Sequence, residues 1–141
     1  MEYLVGVLLS MAVLAFAAVI GFDRERSFYS TVLIVIATYY VLFAVMGASR
    51  RTLILEIALA SGFFLFSALG FKGNLWLVAA ATVGHGIFDM LRPRSIENPG
   101  VPHWWPGFCM AFDVIFGGWL ALRLLQRRSF PHPGAMGRPA S

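Results

Sequence analysis

Charge is scarce in this chain. Seven acidic and eleven basic residues make up 13% of 141 positions, while 59% are hydrophobic. Soluble domains carry roughly 25% charged residues, so an ordinary water-soluble globule is excluded. Cysteine is almost missing. Cys109 stands alone, which rules out an intramolecular disulfide and a cysteine-rich zinc finger. Internal repeats are lacking as well. The net charge of +4 does not indicate nucleic acid, because the basic residues fall in short clusters between apolar runs, as at the ends of membrane helices. The expected surroundings are a lipid bilayer, with no nucleic-acid partner.

What is present in quantity is apolar sequence. Five runs, at about 3–22, 28–47, 52–71, 75–91 and 104–125, each approach the ~20 residues that cross a ~30 Å hydrocarbon core. The expectation is an all-α, polytopic membrane protein, a five-transmembrane-helix bundle over residues 1–128 with a flexible tail at 129–141. The tail is rich in Pro, Gly and Ser, a composition that disfavours regular structure. Ala15-Phe16-Ala17 resembles a signal-peptide cleavage site, but Glu2 stands where a basic region is expected and the run exceeds the usual 7–15-residue core. The first run therefore reads as a retained helix. Small residues four apart at Ala58/Gly62, Ala80/Gly84, Gly107/Ala111 and Gly117/Ala121 allow close helix packing.

Five crossings put the termini on opposite faces. The N-terminus and the second and fourth loops share face A, with Arg50, Arg51, Arg92 and Arg94. Face B receives Arg24, Arg26, Lys72, Arg123, Arg127, Arg128 and Arg138. The larger basic count favours face B as cytoplasmic and the N-terminus as outside.

Polar chemistry is concentrated between Gly84 and Asp113, in GHGIFDMLRPRSIENPGVPHWWPGFCMAFD. With a rise of 1.5 Å per residue, His85 lies ~10 Å and Asp89 ~4–5 Å below face A. Asp113 lies ~10 Å and Glu56 ~6 Å below the same face, with Tyr39 and Tyr40 at ~10–12 Å. Each ionisable group at such depth costs ~2.5–3.5 kcal/mol on insertion scales. Acids and an imidazole from three helices thus gather in one half of the bilayer, and the other half has none. His85 and Asp89, four apart, share a helix face.

Two kinds of chemistry suit this set. His85, Asp89 and Asp113, completed by Glu56 or His103, would ligate one divalent metal such as zinc, iron or manganese, which would activate water. Alternatively, His85, Asp89, Asp113 and Glu56 would form a metal-free acid–base group acting on a lipophilic substrate. The bland alternative is a set of interhelical polar clamps worth ~0.6–2 kcal/mol. The Pro-rich loop between the last two helices reads as a lid. Arg92 and Arg94 suit a phosphate or carboxylate headgroup, and Asn98, Trp104, Trp105 and Tyr39 are further substrate-binding candidates. Trp104 and Trp105 equally suit interfacial anchoring. Cys109, one turn before Asp113, reads as a small buried hydrophobe.

The block GHGIFDMLRPR…NPGVPHWWPGFCMAFD resembles the signature of a family of small multi-spanning integral membrane proteins without an assigned activity. That resemblance covers about 35 residues and implies a membrane bundle but no mechanism. A His and a carboxylate one turn apart, a further carboxylate on another helix and aromatic walls are also similar to membrane sterol isomerases and terpene cyclases, although no extended motif of those families matches. The expected function is an enzyme acting on a lipophilic small molecule. The alternatives are a proton- or metal-linked transporter and a non-catalytic accessory or scaffold subunit, each with the option of homo-oligomerisation.

Overall fold

The computed structural model describes residues 1–92 and 96–129. Its elements are α1 (Glu2–Ile20), a 3-10 turn (Phe22–Arg24), α2 (Arg26–Gly47), α3 (Arg50–Lys72), α4 (Leu75–Leu91) and α5 (Trp105–Ser129). The described residues contain no strand. Four helices, α1, α2, α3 and α5, are long and apolar enough to cross a membrane, which makes this a multi-pass membrane bundle. The fifth, α4, has 17 residues and is ~25 Å long. Most of the flexible tail expected at 129–141 lies outside the described residues, and α5 continues to Ser129, past the expected end near 125.

Local chemistry explains where the helices stop. Gly21 closes α1 in the left-handed conformation, at φ 93°, which costs a residue without Cβ nothing. Ser49 Oγ accepts from Thr52 N at 3.2 Å and starts α3, and Asn74 Oδ1 accepts from Trp76 N at 3.0 Å and starts α4. The C-terminal carbonyls of α3 are taken up by a neighbour. The Arg26 guanidinium donates to Gly70 O, Phe71 O and Gly73 O at 2.8–3.0 Å, placing a cation where a helix leaves unmet acceptors.

α5 packs between α1 and α4, while α2 packs on α3 and α3 on α4. Of the small-residue pairs, Gly107/Ala111 and Gly117 lie buried on α5, whereas Ala58, Ala80 and Gly84 face outward. Gly86 is where backbone approach matters most. A Cβ there would lie 2.9 Å from Asp113 Cβ and 3.2 Å from Met110 O, so a larger residue would push α5 off α4.

The two halves of the bundle differ in kind. Toward face B the interior is an apolar cluster that includes Leu14, Leu33, Val78, Phe116 and Leu120. It is closed at that end by the Arg123–Asp23 ion pair and by Tyr29, whose hydroxyl donates to Asp23 O at 3.0 Å. Toward face A the interior holds Glu56, His85, Asp89, Arg92 and Asp113, all buried.

Candidate functional site

The inner group is built from two helices. His85 and Asp89 stand one turn apart on α4, and Cys109 and Asp113 stand one turn apart on α5. Equal i, i+4 spacing on two packed helices turns both pairs toward the shared interface. His85 Nδ1 hydrogen-bonds Asp113 Oδ2 at 2.8 Å and lies 3.6 Å from Asp89 Oδ2. Cys109 Sγ donates to Asp113 Oδ2 at 3.9 Å. One ligand atom from each of the four residues lies within 4.8 Å of the others. All four are almost completely shielded, with Asp89 and Asp113 at 0% exposure.

This group is under-satisfied by protein alone. Both oxygens of Asp89 and Oδ1 of Asp113 are buried without a hydrogen-bond partner. Buried carboxylate oxygens without partners are costly and rare in native structures. A divalent cation among one imidazole, one thiol and two carboxylates would engage one oxygen of each carboxylate. Ligand atoms 2.0–2.3 Å from a tetrahedral zinc are roughly 3.3–3.8 Å apart. Loading therefore requires a contraction of about 1 Å at the widest pair. The thiol favours zinc or iron over a purely oxygen-seeking cation.

A second group lies beside the first, nearer face A. Glu56 on α3 pairs with Arg92 at the end of α4. The Arg92 guanidinium carbon sits 3.5 Å above the Tyr40 ring, within cation–π range. Asn98 of the loop donates from Nδ2 to Glu56 Oε1 at 3.0 Å and to Tyr40 O at 3.3 Å. Thr52 Oγ1 donates to Glu97 O at 3.0 Å. The loop is thereby fastened across α2 and α3. A cavity of about 10 Å³ lined by Tyr40, Glu56, Phe63, His85, Phe88 and Arg92 separates the two groups, room for about one water. Outside it, a cavity of about 460 Å³ opens between Tyr40, Arg92 and the loop.

The structure redistributes several sequence-derived roles. Glu56 does not enter the His85 group, because Arg92 and Asn98 hold its carboxylate across the small cavity. His103 is not part of the four-residue group. It is exposed in the turn that precedes α5 and lines the outer cavity. Cys109 takes the fourth place, and the signal that could have found it was its i, i+4 spacing from Asp113, the same spacing that joins His85 to Asp89. Tyr39 points away and packs edge-on against Trp105 at 5.0 Å, whereas its neighbour Tyr40 lines both cavities. Trp104 is half exposed and Trp105 packs edge-on against Phe43 at 4.9 Å; neither lines the outer cavity. Arg92 lines it but already carries a counter-charge. Arg94 lies outside the described residues.

Compared with protein-family models, curated proteins and solved structures, the chain matches none. The functional reading therefore stands on the geometry of the site.

Proposed function

We propose that this protein is an integral membrane enzyme with one divalent transition metal, of the zinc or iron class, held by His85, Asp89, Cys109 and Asp113. It acts on a lipophilic small molecule by metal-assisted or acid–base chemistry. The observation that carries this reading is the convergence of four ligand-type atoms within 4.8 Å, fully buried, from two helices of an otherwise apolar bundle. Ionisable groups in such surroundings are expensive and are retained for a task. A metal there polarises an oxygen of the substrate or lowers the pKa of a bound water. In the metal-free state the 2.8 Å contact with Asp113 holds the His85 ring in place, and this hydrogen bond would give way to the metal on loading. Access runs from face A, through the outer cavity and past Arg92 and Tyr40. The larger count of basic residues at face B supports an orientation with face A outside and the C-terminus in the cytoplasm.

One observation supports a metal-free version of the same enzyme. The His85–Asp113 pair is already an oriented base at 2.8 Å, and His85 also borders the water-sized cavity. Transport is disfavoured, because among the described residues no acid, His, Lys or Arg lies between the His85 group and the Asp23–Arg123 pair at face B. A scaffold role predicts that His85→Ala lowers stability and alters nothing else.

Elemental mass spectrometry of detergent-purified wild type, His85→Ala and Asp113→Ala tests the metal. About one metal per chain in the wild type, lost in both variants, is expected. A folded wild type that binds no added zinc, iron or manganese would overturn the metal and leave the acid–base version.

A further inference from the structure

Three cavities adjoin one another through shared walls. The outer cavity shares Tyr40 and Arg92 with the water-sized cavity beside His85. That cavity in turn shares Leu59, Phe63 and Phe88 with a groove of about 430 Å³ between α3 and α4. The groove opens on the outside of the bundle, toward lipid. Its walls include Phe66 and Ala80, and its floor is Gly84, one residue before His85. A Cβ built on Gly84 meets nothing within 4 Å, so the missing side chain leaves the floor open. From Phe88 to Leu77 the groove spans about 16 Å along α4, enough for a hydrocarbon chain. The Phe63 ring stands edge-on to His85, 4.7 Å between centroids, and Phe63 and Phe88 form the wall between lipid and site.

The polar end of these cavities has its own unmet group. Arg92 Nε is buried without a hydrogen-bond partner, and the Tyr40 hydroxyl beside it turns toward Asp89, in side chains only 3% and 4% exposed. Glu56 cancels the charge of Arg92, so a donor remains without net attraction for an anion. Such a donor suits an uncharged acceptor oxygen, whereas a carboxylate or phosphate would meet the Glu56 carboxylate at close range.

We infer that the α3–α4 groove admits the hydrocarbon chain of a single-chain, uncharged lipid from the bilayer, its carbonyl or hydroxyl oxygen bound by Arg92 and Tyr40 beside His85. This names the substrate class of the proposed enzyme and rests on that reading only in taking His85 as the reacting end. Phe63 and Phe88 are positioning residues that move aside to admit the chain.

Electron paramagnetic resonance on the full-length protein in phosphatidylcholine nanodiscs tests the inference. The probes are doxyl-labelled methyl stearate, the matching stearic acid and doxyl-labelled phosphatidylcholine. A protein-immobilised component is expected for the methyl ester at about one per chain, weaker for the acid, and displaced by unlabelled oleyl alcohol. Gly84→Leu and Ala80→Leu add bulk only on the exposed groove side, so the fold is kept, and each lowers ester affinity roughly tenfold by displacing about two methylenes of contact. The double variant E56Q/R92Q keeps the overall charge balance, and it reduces the preference for ester over acid. Equal immobilisation in wild type, Gly84→Leu and Ala80→Leu would show ordinary boundary lipid and overturn the groove. Tighter binding of the acid than of the ester would overturn the uncharged head. The readout is binding, so chelator-treated protein that still immobilises the ester supports this inference even where the metal reading has failed.

Discussion

Replacing Cys109 with serine separates a metal ligand from a small buried hydrophobe. The thiol is 3% exposed and 3.9 Å from Asp113 Oδ2, and serine nearly preserves its shape. If Cys109 only fills space, the change costs little beyond a buried hydroxyl and acts equally with and without metal. If it is a ligand, the cost appears only when metal is present. Loss of an outer-shell partner weakens metal binding about 10–100-fold, so loss of a ligand should weaken it by at least about 100-fold. At free zinc 1,000-fold above Kd the wild type gains about 4.1 kcal/mol from binding. A variant binding 100-fold more weakly gains about 1.4 kcal/mol under the same conditions, a difference of about 2.7 kcal/mol. Thermal unfolding in detergent, run with buffered zinc and with a chelator, reads that difference directly. Cobalt loading adds a second readout, since a thiolate ligand gives a charge-transfer absorption that serine abolishes. Equal zinc stabilisation of wild type and Cys109→Ser, with unchanged cobalt spectra, would refute the ligand assignment.

Other expectations concern the parts around the centre. Arg92→Met leaves Glu56 buried at 2% exposure with only Asn98 as partner, and should cost about 3–5 kcal/mol in detergent unfolding, whereas E56Q/R92M should recover most of that loss. Equal stability of single and double variants would show that the pair is not energetically coupled. Arg123→Met should cost less, because the Arg123 side chain is 34% exposed and water reaches Asp23 once the guanidinium is gone; a loss equal to that of Arg92→Met would contradict this ordering. Asn98→Ala removes the donors to Glu56 and Tyr40 O, about 1.5–3 kcal/mol for the bond to a charged acceptor. Amide exchange across residues 96–104 should then accelerate, with the helices unchanged; unaltered exchange would show that Asn98 does not fasten the loop.

The bundle was legible because apolar length and bilayer thickness leave few alternatives. His85, Asp89 and Asp113 were legible because each violates the local pattern of its helix. Cys109 violates nothing: a thiol among Phe108, Met110 and Ala111 reads as one more apolar side chain. Its spacing to Asp113 repeats that of His85 to Asp89, but only the placement of α4 against α5 shows that both pairs face one interface. Glu56 was found at the right depth, but its partner depended on Arg92 folding back over Tyr40 at the helix end, which spacing along one helix cannot give. His103 stands outside the four-residue group for a similar reason, because the turn after Pro102 leaves it at the surface. The same limit applied to Tyr39 and Tyr40, where the sequence allowed only one to face inward and packing against Trp105 decided which.

All four ligand-type residues come from α4 and α5, which leave the ribosome after α1, α2 and α3. When α4 first meets the bilayer, His85 and Asp89 have no partner, and the helix offers only 17 residues to offset ~2.5–3.5 kcal/mol for each ionisable group on insertion scales. α5 brings Cys109 and Asp113, and with them the contacts that make those groups tolerable. The two helices therefore enter the membrane best as one hairpin. α3, already seated with Glu56, then receives Arg92 and locks the hairpin in place. Completion of the polar centre and completion of the membrane topology become the same event, so a chain that fails to insert α5 also strands α4.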